Sequence, residues 1–291
     1  MSVAAVYFLV ASGLTLIFGL MRVITLAHGT SFLLGGYIGY IVVRYTGNWI
    51  LGAFAAALGV GLLGLLIHQV LIHRFQDDDM RVALITLGVA LIGTDLMAGL
   101  VLPRAGGAPG ETDAIGVTAT LVPVPEQLQG TVDIPFVGYF PLLRLLIIAI
   151  AVVVGVALAL FINRTRLGSI VRAGVDDSQM TAATGVNVRI VFGFIFLLGS
   201  ALAGFAGIVQ GSLLPLLPGL DGTYLLFSLV VVIVGGMGSV PGAAIGAILV
   251  GLVSQFALVY VPTWSVVVTF GLMVLVLAIR PQGILGKVSA L

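Results

Sequence analysis

Six apolar stretches, near residues 3–21, 50–72, 82–102, 141–162, 189–212 and 263–280, each approach or reach the roughly 20 residues that carry an α-helix across a hydrocarbon core. A chain built this way folds in lipid. Hydrophobic residues fill 60% of its 291 positions and charged residues only 8%, with mean hydropathy +1.27, which is more apolar surface than a water-soluble domain of this length can hide. Residues 28–45 and 223–260 are also apolar but are interrupted by Gly and Pro, and they read as one and two further segments. The expectation is an all-α polytopic membrane protein with about nine transmembrane or re-entrant segments, broken helices and a pseudo-repeat, in a single domain over 1–291.

Composition also excludes. No basic residue precedes Arg22, and the first apolar run flows into more membrane sequence, so it reads as a spanning helix rather than a signal peptide. The absence of cysteine removes disulfides, thiol catalysis and cysteine metal sites, and a net charge of +1 argues against nucleic acid as a partner. No phosphate-binding Gly-rich loop is present, the nearest approach being Gly286-Lys287, and no nucleophile–base constellation appears, so ATP binding and enzymatic catalysis are not expected of this chain.

Arginine and lysine set the orientation. Arg164, Arg166, Arg172 and Arg189 crowd one loop, and Arg280 and Lys287 flank the last span, which places both on the cytoplasmic side. The segment 103–140 sets Arg104 against Glu111, Asp113, Glu126 and Asp133 and reads as an outside loop. Counting back puts Arg74 and Arg81 inside, and Arg44 and the amino terminus outside. Asp77-Asp78-Asp79 reads as a solvated turn.

Within the polar island 164–189, Asp176-Asp177-Ser178-Gln179-Met180-Thr181-Ala182-Ala183-Thr184-Gly185 has the signals of a capped helix of about two turns. Asp176 suits the N-cap, Gln179 completes a capping box and Gly185 suits a left-handed stop. So short a helix needs tertiary contacts or a docking surface to hold it, the other reading being an ordinary solvated loop.

Forty glycines let helices approach closely or break. The stripes Gly35-x-x-x-Gly39, Gly207-x-x-x-Gly211 and Gly238-x-x-x-Gly242-x-x-x-Gly246 read first as helix packing. Two segments differ, because Gly or Pro meets polar residues at apparent membrane depth: Thr25-Leu26-Ala27-His28-Gly29-Thr30-Ser31, and Gly235-Gly236-Met237-Gly238-Ser239-Val240-Pro241-Gly242. They occupy corresponding places in the two halves, and such paired interruptions point to a translocation path. Thr25, His28, Gly29, Thr30, Gly235, Gly236, Gly238 and Ser239 are therefore path candidates. His28 takes a structural or gating role rather than a metal, since His28, His68 and His73 form no ligand cluster and no metal site is expected. Asp95, the one acid placed mid-helix, would cost roughly 2.5 to 3.5 kcal/mol to insert, so it is expected to face the bundle interior or water.

The stretch Gly13-Leu14-Thr15-Leu16-Ile17-Phe18-Gly19-Leu20-Met21-Arg22-Val23-Ile24, followed by Ala27-His28-Gly29, resembles the opening of the H-type permease subunits of branched-chain amino acid ABC importers. The likeness continues in order through Arg172-Ala173, Ala182-Ala183-x-Gly185-Val186-Asn187, Ala203-Gly204-x-Ala206-Gly207, Gly235 to Gly242 and Arg280-Pro281-x-Gly283. The resemblance implies a subunit in a bacterial inner membrane, carboxyl terminus in the cytoplasm, moving branched-chain or other apolar amino acids inward. The implied partners are a second, M-type permease, two cytoplasmic ATPases that carry the ATP and Mg, and a periplasmic substrate-binding protein, with membrane lipid around them. It also makes the 164–189 loop the carrier of a coupling helix, with Ala182, Ala183 and Gly185 in the groove of the ATPase and Asp176, Asp177 and Gln179 capping it.

This chain departs from that pattern where relatives carry Asn two residues before Ala-His-Gly and an acid directly after it: here these are Thr25 and Thr30. Phe227 and Ser254 stand where many carry Lys and Glu, which reads as a drier pathway. The alternatives are a permease for urea or short amides, a proton-coupled secondary transporter using Asp95 and His28, and an ion channel, for which no charged ring is evident.

Overall fold

The computed structural model describes residues 1–21, 25–75, 78–101, 121–134, 138–176, 180–181, 185 and 187–286. Its helices are α1 (Ser2–Met21), α2 (His28–Thr46), α3 (Trp49–Ile67), α4 (Asp79–Val101), α5 (Leu142–Arg164), α6 (Arg166–Asp176), α7 (Val188–Leu213), α8 (Asp221–Gly235), α9 (Val240–Tyr260) and α10 (Ser265–Ile279). A π turn at His68–Ile72 and a 3-10 turn at His73–Phe75 prolong α3. Seven helices are long and apolar enough to cross a membrane, and α2 and the 15-residue α8 complete nine apolar helices among the described residues. The expected all-α polytopic membrane fold is thus observed.

One addition lies between α4 and α5, in the stretch read as an outside loop. There β1 (Thr131–Ile134) and β2 (Gly138–Pro141) form an antiparallel hairpin with Val132 opposite Phe140 and Asp133 opposite Tyr139. Strands of 4 residues fall below the length at which alternation is readable.

Local chemistry explains the connections. After α2 the chain reverses in a short turn: Gly47 takes a left-handed φ of 67°, and Asn48 accepts from the amides of Ile50 and Leu51 at 2.9 and 3.2 Å. Before α4, Asp78 accepts from the Arg81 amide at 3.0 Å and pairs with its guanidinium at 2.8 Å, so this acid caps the helix as well as meeting solvent. Between α5 and α6, the Thr165 hydroxyl accepts from the Gly168 amide at 3.0 Å and starts the second helix.

The chain divides into two compact units, residues 1–24, 144–199 and 226–291, and residues 25–143 and 200–225. In the first, α1 is apolar on every side and is accordingly the core: Val6, Leu9, Val10, Ala11, Leu14 and Ile17 are at most 1% exposed. It packs on α9 and α6. In the second unit α2 is clamped between α3 and the outer part of α7 by residues without side chains. Gly35 lies on Gly204, and Gly207 lies on the Phe32 carbonyl and the Gly36 amide. Trp49, buried at the start of α3, donates its indole N–H to Ser212 at 2.8 Å.

Because lipid offers no hydrophobic drive for helices to associate, close backbone approach supplies the packing energy. A side chain at Gly207 would place Cβ 2.7 Å from the Gly36 amide nitrogen, whereas nothing lies within 4 Å of a Cβ at Gly88. Gly207→Val is expected to lower the thermal midpoint of the detergent-purified protein by several degrees or to abolish its accumulation, and Gly88→Ala to leave both unchanged. Fluorescence-detected size-exclusion after a temperature series checks this, and equal behaviour of the two variants would refute the packing account.

Candidate functional site

In the second unit the start of α2 meets the first turn of α8, and a polar cluster lies between them. The start of α2 is tied to α4: the Leu26 amide donates to the Thr86 hydroxyl at 3.3 Å, and Thr30 lies against Ala90, Gly93 and Thr94. Ala90 and Gly93 stand roughly 16 to 21 Å from its first residue, near the middle of a helix about 34 Å long. The start of α8 reaches the same level because the chain folds back after α7. Leu216, 2% exposed, returns against Gly36 and Gly211, and the Asp221 carbonyl then meets Gly29, where a Cβ would come 2.9 Å from that of Leu225. The rings of Phe32 and Tyr224, 4.4 Å between centroids, fix the same pair of helices.

Asp221, in the first turn of α8, sends its Oδ2 to two hydroxyls from different helices: Thr94 at 2.8 Å and Thr30 at 3.3 Å. Both hydroxyls also face the Ala90 carbonyl, at 2.8 Å from Thr94 and 3.4 Å from Thr30. Gly93 makes room for Thr30, since a Cβ there would stand 2.6 Å from the Thr30 methyl. The helix macrodipole favours a negative charge at the first turn of α8. Asp221 and Thr94 are half-buried and Thr30 is 6% exposed, so the carboxylate is reachable while part of its cage is not.

Of the residues singled out in the sequence, Thr25, His28, Gly29 and Thr30 gather at this start of α2. Thr25 and His28 are each 2% exposed, and the Thr25 hydroxyl has no hydrogen-bond partner among the described residues. Asp95 does not join them. It is exposed on α4, one residue, about 100° of helix rotation, beyond the inward-facing Thr94. The acid of the cluster is Asp221, which the sequence reading passed over. It follows Pro218-Gly219 and looks like a loop residue between apolar runs, and its only signal is that the helix after it is too short to span. Among the described residues no group of three or more His, Asp or Glu is placed to hold a metal.

Gly235, Gly236, Gly238 and Ser239 lie in the first unit and form a tight turn between α8 and α9. Gly236 and Gly238 have φ of 104° and 78°, and the Ser239 hydroxyl caps α9 by accepting from the Gly242 amide at 3.0 Å. The amides of Ile284 and Leu285 donate to the carbonyls of Val234 and Gly235, both at 2.9 Å, so the carboxyl-terminal segment closes over the turn.

In the polar island, Asp176 is the last residue of α6 rather than the N-cap of a helix beginning there, a correction that follows from α6 running straight into the segment. Met180 and Thr181 are helical and Gly185 has the left-handed φ of 86° that its stop signal implies. Asp177, Gln179, Ala182 and Ala183 lie outside the described residues.

Phe227 and Ser254, the two positions without the expected charges, meet the same side chain in the first unit. The Tyr7 ring stacks on Phe227 with centroids 5.1 Å apart, and its hydroxyl bonds to Ser254, which donates onward to the Gly251 carbonyl at 3.2 Å. A charge at either position would lie in a low dielectric without its counterpart. Phe227→Lys is expected to destabilise the protein by about 3 kcal/mol or more, with Ser254→Glu added to it restoring about 1 kcal/mol or more of the loss. A thermal-midpoint double-mutant cycle measures this, and strictly additive losses would sink the pairing.

Comparison with known proteins agrees with this architecture. Residues 1–277 match the family model described as branched-chain amino acid transport system / permease component. The chain is 30% identical to the high-affinity branched-chain amino acid transport system permease protein BraD of Pseudomonas aeruginosa, over 99% of this chain and 94% of that one. It is 26% identical to the corresponding protein LivH of Escherichia coli K12, over 98% and 93%, and 27% identical to LivM of the same organism, over 96% and 68%. No solved structure matches. On a match spanning nearly its whole length, the chain belongs to the family of permease components of branched-chain amino acid transport systems.

Proposed function

We propose that this permease is the membrane-spanning subunit of an ABC importer that moves branched-chain and other apolar amino acids into a bacterial cell. The observation that carries the reading is the full-length likeness to BraD and LivH, joined to a fold in which two helices start inside the apolar layer and surround polar side chains. Helix starts at that depth leave backbone amides that protein or a water-lined path must meet. The likeness to LivM as well as LivH supports pairing with a second, related permease.

In this reading the subunit sits in the inner membrane with the 103–140 segment on the periplasmic side, facing a substrate-binding protein. The 164–189 loop and the carboxyl terminus are cytoplasmic, and two ATPase subunits there carry ATP and Mg. The segment ending at Gly185 enters a groove of the ATPase, with Ala182 and Ala183 allowing close approach and Asp177 and Gln179 holding the turn; Asp176 instead ends the helix before it. Coupling requires that the ATPase bind two permease states with different affinity.

Co-expression with the neighbouring transport genes, purification and reconstitution into proteoliposomes test the reading. Leucine, isoleucine or valine, presented on the binding protein, is expected to stimulate ATP hydrolysis, while urea is not; stimulation by urea alone would replace the substrate assignment. Ala183→Arg is expected to reduce stimulated hydrolysis at least tenfold while the subunit still inserts and pairs. Full coupling in that variant would remove the segment from the ATPase contact.

A further inference from the structure

We propose that the Asp221 carboxylate, together with the Thr30 and Thr94 hydroxyls and the Ala90 carbonyl, binds the primary ammonium group of an amino acid passing through the membrane. The assignment rests on the transport reading above. Its chemistry follows from counting donors. The two hydroxyls carry one proton each, whereas the carboxylate and the main-chain carbonyl present several lone pairs, so the cage has more acceptors than donors. A primary ammonium brings three N–H donors and a positive charge, which meets both the excess of acceptors and the anionic Asp221 in a region of low dielectric.

A second observation points to a ligand independently. Tyr37 lies two turns beyond Thr30 on the same face of α2, is 4% exposed, and its hydroxyl has no hydrogen-bond partner among the described residues. A buried phenol hydroxyl without a partner is costly, and a carboxylate delivered beside the ammonium would accept from it. The pair therefore suits a zwitterion whose side chain is apolar, with the ammonium at Asp221 and the carboxylate towards Tyr37.

Proteoliposomes containing the assembled importer test this with L-leucine on the binding protein outside and 3-methylbutylamine or 4-methylpentanoate loaded inside. The amine, which keeps the ammonium, is expected to slow leucine uptake by the wild type, and the acid, which lacks it, to have no effect. Asp221→Asn is expected to lower uptake at least tenfold without changing assembly. Asp221→Glu, which keeps the charge, should recover uptake to within about threefold and remain sensitive to the amine. Thr94→Val should weaken inhibition by the amine while leaving Asp221 in place. Uptake by Asp221→Asn at the wild-type rate, or an amine effect that survives in it, overturns the site and leaves the transport reading standing. Absence of any amino-acid uptake by the wild type overturns the transport reading itself.

Discussion

The interruption of α2 and α8 within the apolar layer is the constraint around which the second unit is organised. A helix that begins there exposes amides that lipid cannot satisfy, so every such start must be met by protein or by a water-lined path. Thr86 receives the Leu26 amide, and the cluster of Thr30, Thr94 and Asp221 occupies the same level. The polar residues are gathered by a backbone requirement first. A place where backbone polarity is tolerated is also one where a polar solute can be held.

Glycine makes those helix starts possible. The α2 helix must lie against α7 closely enough for Gly35 to meet Gly204 and for Gly207 to meet the Phe32 carbonyl, and α8 must approach α2 at Gly29 without a side chain between them. In the first unit the same device works on a turn: Gly236 and Gly238 supply positive φ, and the missing side chain at Gly236 admits the backbone of Gly286. The long small-residue motifs of this chain thus let backbones approach closely within each unit.

Six of the apolar segments were legible because their length and continuity answer directly to bilayer thickness, and the observed helices coincide with them within a few residues. The start of α2 was legible as well, since Gly and polar residues at apparent membrane depth are conspicuous. Asp221 was not. A carboxylate beside Pro218 and Gly219 looks solvated until the return of Leu216 onto Gly36 shows that the chain has descended again. Asp95 stood out in its place for the complementary reason: position within a helix fixes depth but not facing, and a single residue of helix rotation separates it from Thr94. Asp176 misled because an acid before a possible helix reads as a cap whether or not another helix already occupies that position.

The placement of charge distinguishes this chain from the pattern it otherwise follows. Thr30, Phe227 and Ser254 are uncharged where the resemblance leads one to expect an acid, a base and another acid, and the structure accounts for each locally. Phe227 and Ser254 share Tyr7, one by stacking and one by a hydrogen bond, so neither leaves a buried group in need of a counter-charge. Thr30 lies 3.3 Å from a carboxylate supplied by a different helix. Asp221 places a negative charge beside Thr30 at the favourable end of a helix dipole. In a low dielectric the position of one such charge governs which solutes can pass more strongly than many apolar contacts, since each apolar contact changes discrimination only modestly and an unmatched charge changes it greatly.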